Sequence, residues 1–261
     1  MNKTAIEYCD MTWNPVTGCY GPNGTPCEYC YARSIAKRFG GWTLPSGKTV
    51  HTMLEGETGV LDGPLEIMRS EGKWQKAPYP YDFAPTFHRY RLDEPQKVKK
   101  TQTIFVCSMA DLFGDYIPDE WIKEVFDACE AAWWNRYLML TKNPGRYDEL
   151  FEKGIIHQYM DNFWFGTTIT SAEEKFLFSD YHHTFLSIEP IMSAFDHRHK
   201  NIIVDFVIVG SETGNRKGKV IPEREWIEDI VECCKYADTP LFMKNSLREL
   251  MGDDFVQEYP W

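Results

Sequence analysis

Three of the chain's eight cysteines fall within twelve residues, spaced Cys19-x7-Cys27-x2-Cys30. The segment Gly18-Cys-Tyr-Gly-Pro-Asn-Gly-Thr-Pro-Cys-Glu-Tyr-Cys-Tyr31 is dominated by Gly and Pro. Such residues let a loop fold back until three sulfurs can converge, and a Cys-x2-Cys pair projects two of them from one turn at a helix start. Thiolates bind zinc or iron–sulfur clusters. Four protein ligands close a metal site, whereas three leave a position open for chemistry. A closed zinc knuckle would take Cys9 or His51 as its fourth ligand. Cys107, Cys129, Cys233 and Cys234 lie in apolar patterns and read as packing residues. The seven histidines form no ligand-like set; His182-His183 and His197-x-His199 fall near expected loops and read as surface residues.

A second set of reactive side chains follows short apolar runs. Ser108 and Asp111 come after Thr103–Cys107, Thr141 and Lys142 after Tyr137–Leu140, and Thr167 and Thr168 after Phe163–Phe165. Ser187 and Glu189 close the run beginning at Thr184, Gly210, Ser211 and Glu212 follow Phe206–Val209, and Lys244 follows Leu241–Met243. Taken singly, a Ser, Thr or Asp in such a place caps a helix or forms a turn. Glu189 and Lys244 differ, because an unpaired charge beside a buried strand is costly. They either serve a ligand or pair with each other as a structural bridge.

The elements that must position these groups are legible as well. Six apolar runs bounded by turn residues look like parallel strands buried on both faces, with a first strand near Thr12-Trp13. Helical spacing joins Trp121, Ile122, Val125, Phe126 and Cys129 between Pro118 and Trp133. It also joins Trp226, Ile227, Ile230, Val231 and Cys234 between Glu223 and Tyr236. A further helix is expected from about Tyr31 to Phe39. Alternating strand and helix implies an α/β fold with right-handed crossovers, either a barrel or a doubly wound sheet. In a barrel the carboxyl ends of the strands form the active site, and the polar residues fall there. Residues 41–100 are rich in Gly, Pro, Tyr and charge without a sustained period, so they read as a long irregular insertion carrying short helices. The expected organisation is one domain over 1–261, with a cysteine loop at about 14–31 and the insertion at about 41–100.

Composition narrows the function. The net charge of −11 argues against coating DNA or an anionic membrane by bulk counterion release. A local contact is still open to it: Phe87-His-Arg-Tyr-Arg91 and Gln96-Lys-Val-Lys-Lys100 interleave aromatics with Arg89, Arg91, Lys97, Lys99 and Lys100, a pattern suited to phosphate contact and base stacking, or to a solvated face. The opening residues lack the apolar core of a signal peptide and no later run approaches membrane-spanning length, which points to a cytoplasmic protein without a membrane partner. In that reducing compartment a cysteine cluster reads as a metal site rather than a disulfide staple.

The cysteine loop, with Tyr29 before its last cysteine and a series of βα units behind it, resembles radical S-adenosylmethionine (SAM) enzymes. Their usual spacing is C-x3-C-x2-C, which the seven residues between Cys19 and Cys27 lengthen. Asn14-Pro-Val-Thr-Gly-Cys19, Ser108-Met-Ala-Asp-Leu-Phe113, Leu140-Thr-Lys-Asn-Pro144, Leu186-Ser-Ile-Glu-Pro190 and Val209-Gly-Ser-Glu-Thr-Gly214 bring it closer to a phage and mobile-element family of radical-SAM-like proteins. The resemblance implies a partial (β/α) TIM-like barrel and a [4Fe–4S] cluster on Cys19, Cys27 and Cys30. The open iron would hold SAM, which would be cleaved to a radical that abstracts hydrogen from substrate. It further implies that Tyr29, Ser108, Asp111, Thr141, Ser187, Glu189, Gly210, Ser211 and Glu212 line the cofactor. Lys142 and Lys244 would serve the SAM carboxylate or an anionic substrate. An external flavodoxin- or ferredoxin-type donor would supply electrons, and DNA or a nucleotide, by analogy a thymine-type base, would be the substrate. The competing expectations are a zinc-stabilised, non-catalytic α/β binding protein and an enzyme using the cluster or SAM without hydrogen abstraction.

Overall fold

Apolar runs without polar alternation form strands only where both faces of a sheet are covered. The computed structural model describes residues 1–40, 59–68, 74–157, 160–177, 179–195 and 202–261. In chain order the strands are β1 (Asn2–Lys3), β2 (Met11–Trp13), β3 (Val16–Thr17), β4 (Gly59–Leu61), β5 (Glu66–Met68), β6 (Trp74–Lys76), β7 (Thr86–His88), β8 (Thr103–Val106), β9 (Arg136–Thr141), β10 (Phe163–Ile169), β11 (His183–Ile188), β12 (Phe206–Val209) and β13 (Leu241–Met243). The helices are α1 (Tyr31–Phe39), α2 (Asp119–Glu130), α3 (Gly145–Glu152), α4 (Arg224–Ala237) and α5 (Arg248–Met251).

All six expected runs, and the first strand, join one mixed sheet in the order β1-β2-β8-β9-β10-β11-β12-β13. β2 to β13 pair in parallel, and only β1 is antiparallel. Strand order follows chain order without reversal, so the sheet lacks the switch point that defines a doubly wound fold. The strands run further than their apolar cores. Thr141, Thr167, Thr168 and Ser187 lie inside β9, β10 and β11, where β-branched Thr suits an extended backbone.

One face packs on helices. Trp121, Ile122, Val125, Phe126 and Cys129 of α2 join Ile104, Tyr137, Met139 and Phe163. Ile227, Ile230 and Cys234 of α4 join Leu186, Ile188, Val207 and Val209. The other face buries Phe105, Leu138, Trp164, Phe185, Phe206 and Phe242, with Tyr8 among them. The Tyr8 ring lies 6.0 Å from Phe105 and 6.2 Å from Phe242. β8 and β13 are five strands apart, about 24 Å in a flat sheet at the usual spacing. A single ring bridging them therefore requires the sheet to curl, with this face inside the curve.

Two parts of the architecture depart from the sequence expectations. The strand–helix alternation is incomplete: α3 joins β9 to β10, where no helix was expected, and no helix occurs among the described residues between β10 and β11 or between β11 and β12. Among its described residues the insertion, expected to carry short helices, holds strands and two single-turn 3-10 helices. β7 lies between β3 and β4 in a small sheet, β5 pairs with β6, and the 3-10 helices at Arg89–Arg91 and Pro95–Lys97 follow. The reason is burial. Thr86, Phe87 and His88 are all in the interior, and Phe87 stacks on Trp121 at 5.2 Å, which fixes the insertion to α2. Expectations for 41–58 and 69–73, including His51, and for His197 and His199 lie outside the described residues. Among the described residues no helix is long and apolar enough to cross a membrane.

His88 is a titratable group with no access to water. Its Nε2 lies 2.8 Å from Thr17 Oγ1, and burial, aided by the nearby Arg91 guanidinium, pushes its pKa down to about 3. A depressed histidine pKa means the unfolded chain binds the extra proton first as pH falls. Its contribution is intact above about pH 6.5 and drains away toward pH 3, at roughly 1.4 kcal/mol per pH unit. Urea unfolding at pH 7 and pH 4.5 should show this loss, and His88→Gln, which can still bond Thr17, should show a smaller one. Equal losses in the two proteins would disprove the assignment.

Candidate active site

The cysteine loop lies across the carboxyl ends of the parallel strands and is fixed most firmly at Cys19. Gly18 N–H donates to Met109 O at 2.9 Å and Cys19 N–H to Phe83 O at 3.0 Å. Gly18 has φ +88°, and a Cβ there would sit 2.2 Å from Ala84 O, so only glycine can enter the loop this way. The Cys19 sulfur accepts from Gly21 N–H at 3.1 Å and from the Tyr116 hydroxyl at 2.9 Å. Burial raises the Cys19 pKa, against the Tyr116 bond, which lowers it.

Cys30 caps α1, its sulfur accepting from Arg33 N–H at 3.3 Å, and its own N–H donates to Cys27 O at 3.2 Å. Burial also raises the Cys27 pKa, opposed by the Lys142 ammonium and reinforced by Cys30 and Asp111. Tyr29 stands between them, with Lys142 Nζ 5.6 Å from its ring. Tyr31 reaches across to donate its hydroxyl to Ser108 O at 2.7 Å. The loop is thereby tied to the ends of β8 and β9, and Arg216, 3.6 Å from Glu28, ties it to the segment after β12. All eight cysteines are free thiols. Among the described residues no three His, Cys, Asp or Glu side chains form a group that could hold a metal ion. Cys9 lies elsewhere, its sulfur facing Ile6 O at 3.9 Å and its pKa pushed up to about 12 by burial.

Several of the expected strand-end residues are committed to the fold. Asp111 accepts from Thr141 Oγ1 at 2.7 Å, Lys142 N–H at 3.0 Å and Phe113 N–H at 3.1 Å, joining the loop after β8 to the end of β9. Burial raises its pKa against those three bonds. Glu212 is buried and grips Arg216 through both oxygens, at 2.7 and 2.8 Å, which lowers its pKa. Ser108 Oγ donates to Asn14 Oδ1 at 3.3 Å, and Ser211 N–H donates to Ser246 Oγ at 3.1 Å.

The end of β11 is different. Ser187 follows Phe185 on the inner face and is 1% exposed, and its Oγ has no hydrogen-bond partner. Glu189, two residues on, gives Oε2 to Lys244 Nζ at 2.8 Å and leaves Oε1 buried without a partner. Gly210 makes room for this pair, since a Cβ there would lie 2.9 Å from Lys244 Cδ. Burial works against the Lys244 ammonium, but Glu189, then Glu7 and Cys9, outweigh it and raise its pKa. The bridge and the ligand-binding alternatives are therefore compatible: one carboxylate oxygen is paired and the other is free to accept a bond.

A family model described as "Protein of unknown function (DUF5131)" matches residues 3–249. The chain belongs to the DUF5131 family. No curated protein and no solved structure matches it.

The basic strip of this DUF5131 chain is mostly engaged within the fold. Arg89 pairs with Glu124 at 2.9 Å and Asp62 at 3.0 Å, Arg91 donates to Asn14 O at 2.8 Å, and Lys97 pairs with Asp93 at 2.6 Å. Phe87 is fully buried and offers no face to a base. Lys99 and Lys100 are exposed. His182 stacks on Phe151 at 4.5 Å and His183 on Trp164 at 4.5 Å, so both pack on aromatic rings.

Sequence reasoning did not assign Asn14, Tyr31, Tyr116 or Arg216. Arg216 was within reach as a helical-range partner of Glu212, and Tyr31 as the neighbour of Cys30. Nothing in the local pattern marks Tyr116, whose ring occupies the space that Gly114 leaves.

Removing Lys244 should be costly, because neither oxygen of Glu189 would then have a partner. The two side chains are 23% and 21% exposed, so the full penalty of a buried unpaired charge is moderated. Lys244→Ala should lose about 2 kcal/mol in chemical denaturation, and the double change Lys244→Met with Glu189→Leu should recover most of it. A double variant as unstable as the single one would show that the unpaired charge is not the cause.

Proposed function

We propose that this chain is a radical SAM enzyme on a partial (β/α) barrel, with Cys19, Cys27 and Cys30 holding a [4Fe–4S] cluster that leaves one iron for SAM. The observation that carries the reading is a juxtaposition. A loop with three free thiols, two of which accept N–H bonds, lies over strand ends where Ser187 Oγ and Glu189 Oε1 are buried without partners. N–H···S contacts are among the features that tune protein-held clusters. The sulfurs are not a ready-made ligand set, so cluster binding would gather them, in the way metal binding couples to local folding. When bound and reduced by an external one-electron donor, the cluster and SAM together supply a radical able to abstract hydrogen from substrate.

The chain's own residues bind, orient and exclude water. Lys142, beside Tyr29 and Cys27, places a cation for a carboxylate. Ser187 Oγ can donate or accept and Glu189 Oε1 can accept, so they suit polar groups of the cofactor. Lys244 holds Glu189 in place from Oε2. Asp111 and Glu212, with their oxygens already engaged, act as positioning residues that hold the Lys142 backbone and Arg216. The aromatic layer beneath, from Tyr8 to Phe242, closes the floor against water.

Anaerobic reconstitution with iron and sulfide should load about four of each per chain, and each Cys→Ala change in the loop should abolish loading. With dithionite and SAM the loaded protein should release 5′-deoxyadenosine, and Glu189→Gln should slow that release about tenfold or more. Stoichiometric zinc without acid-labile sulfide would overturn the proposal in favour of a zinc-stabilised binding protein. Methyl transfer without 5′-deoxyadenosine would overturn hydrogen abstraction alone.

A further inference from the structure

Two segments beside the cysteine loop are basic in a chain of net charge −11. From 14 to 40 the charged residues are Arg33, Lys37 and Arg38 against Glu28, and from 212 to 222 they are Arg216, Lys217 and Lys219 against Glu212. Both acids face Arg216, at 3.6 and 2.7 Å, which sets the second segment beside the cysteine loop, and Lys219 also acts on Glu212 through space. Lys37, Arg38 and Lys217 are exposed, with no ion pair among the described residues, and Lys219 is exposed and donates only to Gly214 O at 3.2 Å.

The α1 helix adds a second observation. Its Ala32 and Ala36 are buried, which turns Tyr31, Ile35 and Phe39, each four residues from the next, to the outside at 53%, 37% and 48% exposure. The Arg38 guanidinium lies 5.5 Å from the Phe39 ring. Exposed rings interleaved with exposed cations suit a nucleic-acid strand, whose phosphates meet the cations and whose bases stack on the rings. An acidic peptide would use the cations and leave the rings idle. The two segments are each net positive, so the rest of the chain is more acidic than the −11 total and disfavours a polyanion on average.

We propose that α1 and the 212–222 segment form a nucleic-acid-binding rim that leads a single strand across the cysteine loop. This names a substrate class for the proposed active site and rests on that reading for its catalytic meaning, whereas the binding itself needs neither cluster nor SAM. The test is fluorescence anisotropy of the full chain, without added iron or SAM, against a labelled single-stranded DNA oligonucleotide at several salt concentrations, with polyglutamate as competitor.

Binding should weaken steeply with salt. Lys37→Glu with Arg38→Glu, and separately Lys217→Glu with Lys219→Glu, should each weaken it about tenfold or more and reduce the salt slope by about 1 to 2. Phe39→Ala should weaken it about tenfold through lost stacking. Lys99→Glu with Lys100→Glu should leave it within about twofold. No binding at low salt, an equal loss in the Lys99/Lys100 variant, or polyglutamate competing as well as the unlabelled oligonucleotide would overturn the proposal, the last by assigning the rim to an acidic protein. Thermal melts matching the parent protein would confirm that each variant is folded. A protein that binds the strand but fails to load iron would sink the radical reading and leave the rim standing.

Discussion

A parallel sheet has two apolar faces to hide from water, and among the described residues helices cover one of them. α2 and α4 take the outer face, and the inner face is filled by the sheet's own side chains together with Tyr8 and the C-terminal Tyr259 and Trp261. Rings from β8, β10, β11, β12 and β13 do this only if the sheet bends until they meet, and Tyr8, placed before β2, supplies the ring that closes the gap between Phe105 and Phe242. Curvature brings the carboxyl ends of strands that are far apart in order toward a common mouth. That is how Glu189 after β11 comes to bond Lys244 after β13, with Gly210 after the intervening β12 leaving the room.

The polar residues at this mouth divide by how fully their hydrogen-bonding capacity is used. Asp111 has three donors on its two oxygens and Glu212 has a two-point grip on Arg216. Such groups hold loops in register and have little left for a ligand. Ser187 and Glu189 each keep a buried oxygen without a partner, an arrangement that costs stability in a protein that gains nothing from it. Sites where local rules are broken are the places to look for function.

Much of the scaffold was legible because burial on both faces leaves a run of apolar residues that periodicity detects. Phe206–Val209 and Leu241–Met243 match β12 and β13 residue for residue. The apolar run at Phe163 ends at Phe165, since Thr167 and Thr168 look like turn residues in isolation, yet they continue β10. α3 was missed because eight residues after a proline offer too few apolar positions to establish a period. The site was legible in its residue types but not in their commitments. Glu189 and Lys244 stood out as charges beside buried strands. Whether Asp111 or Arg89 is free depends on Lys142 and Glu124, which are distant in sequence. Aromatics interleaved with cations occur both at 87–91 and on α1, and only the fold distinguishes them, by burying Phe87 and exposing Phe39.

The attachment of the cysteine loop is lopsided. Cys19 is held by backbone bonds on both sides of a glycine that admits no substitute, and its sulfur already carries two donors. Residues 22–26 that follow are exposed, and Cys27 is reached only after them. Cys30, at the other end, is built into the first turn of α1. Cys19 is therefore anchored to the loops after β8 and before β7, whereas the Cys27–Cys30 turn is anchored to α1. The Tyr31 hydroxyl, bonded to the Ser108 carbonyl, joins that helix to the end of β8. Cys30 and the exposed Phe39 thus stand at the two ends of one helix, so a single element carries both a cysteine of the loop and the outer surface of α1.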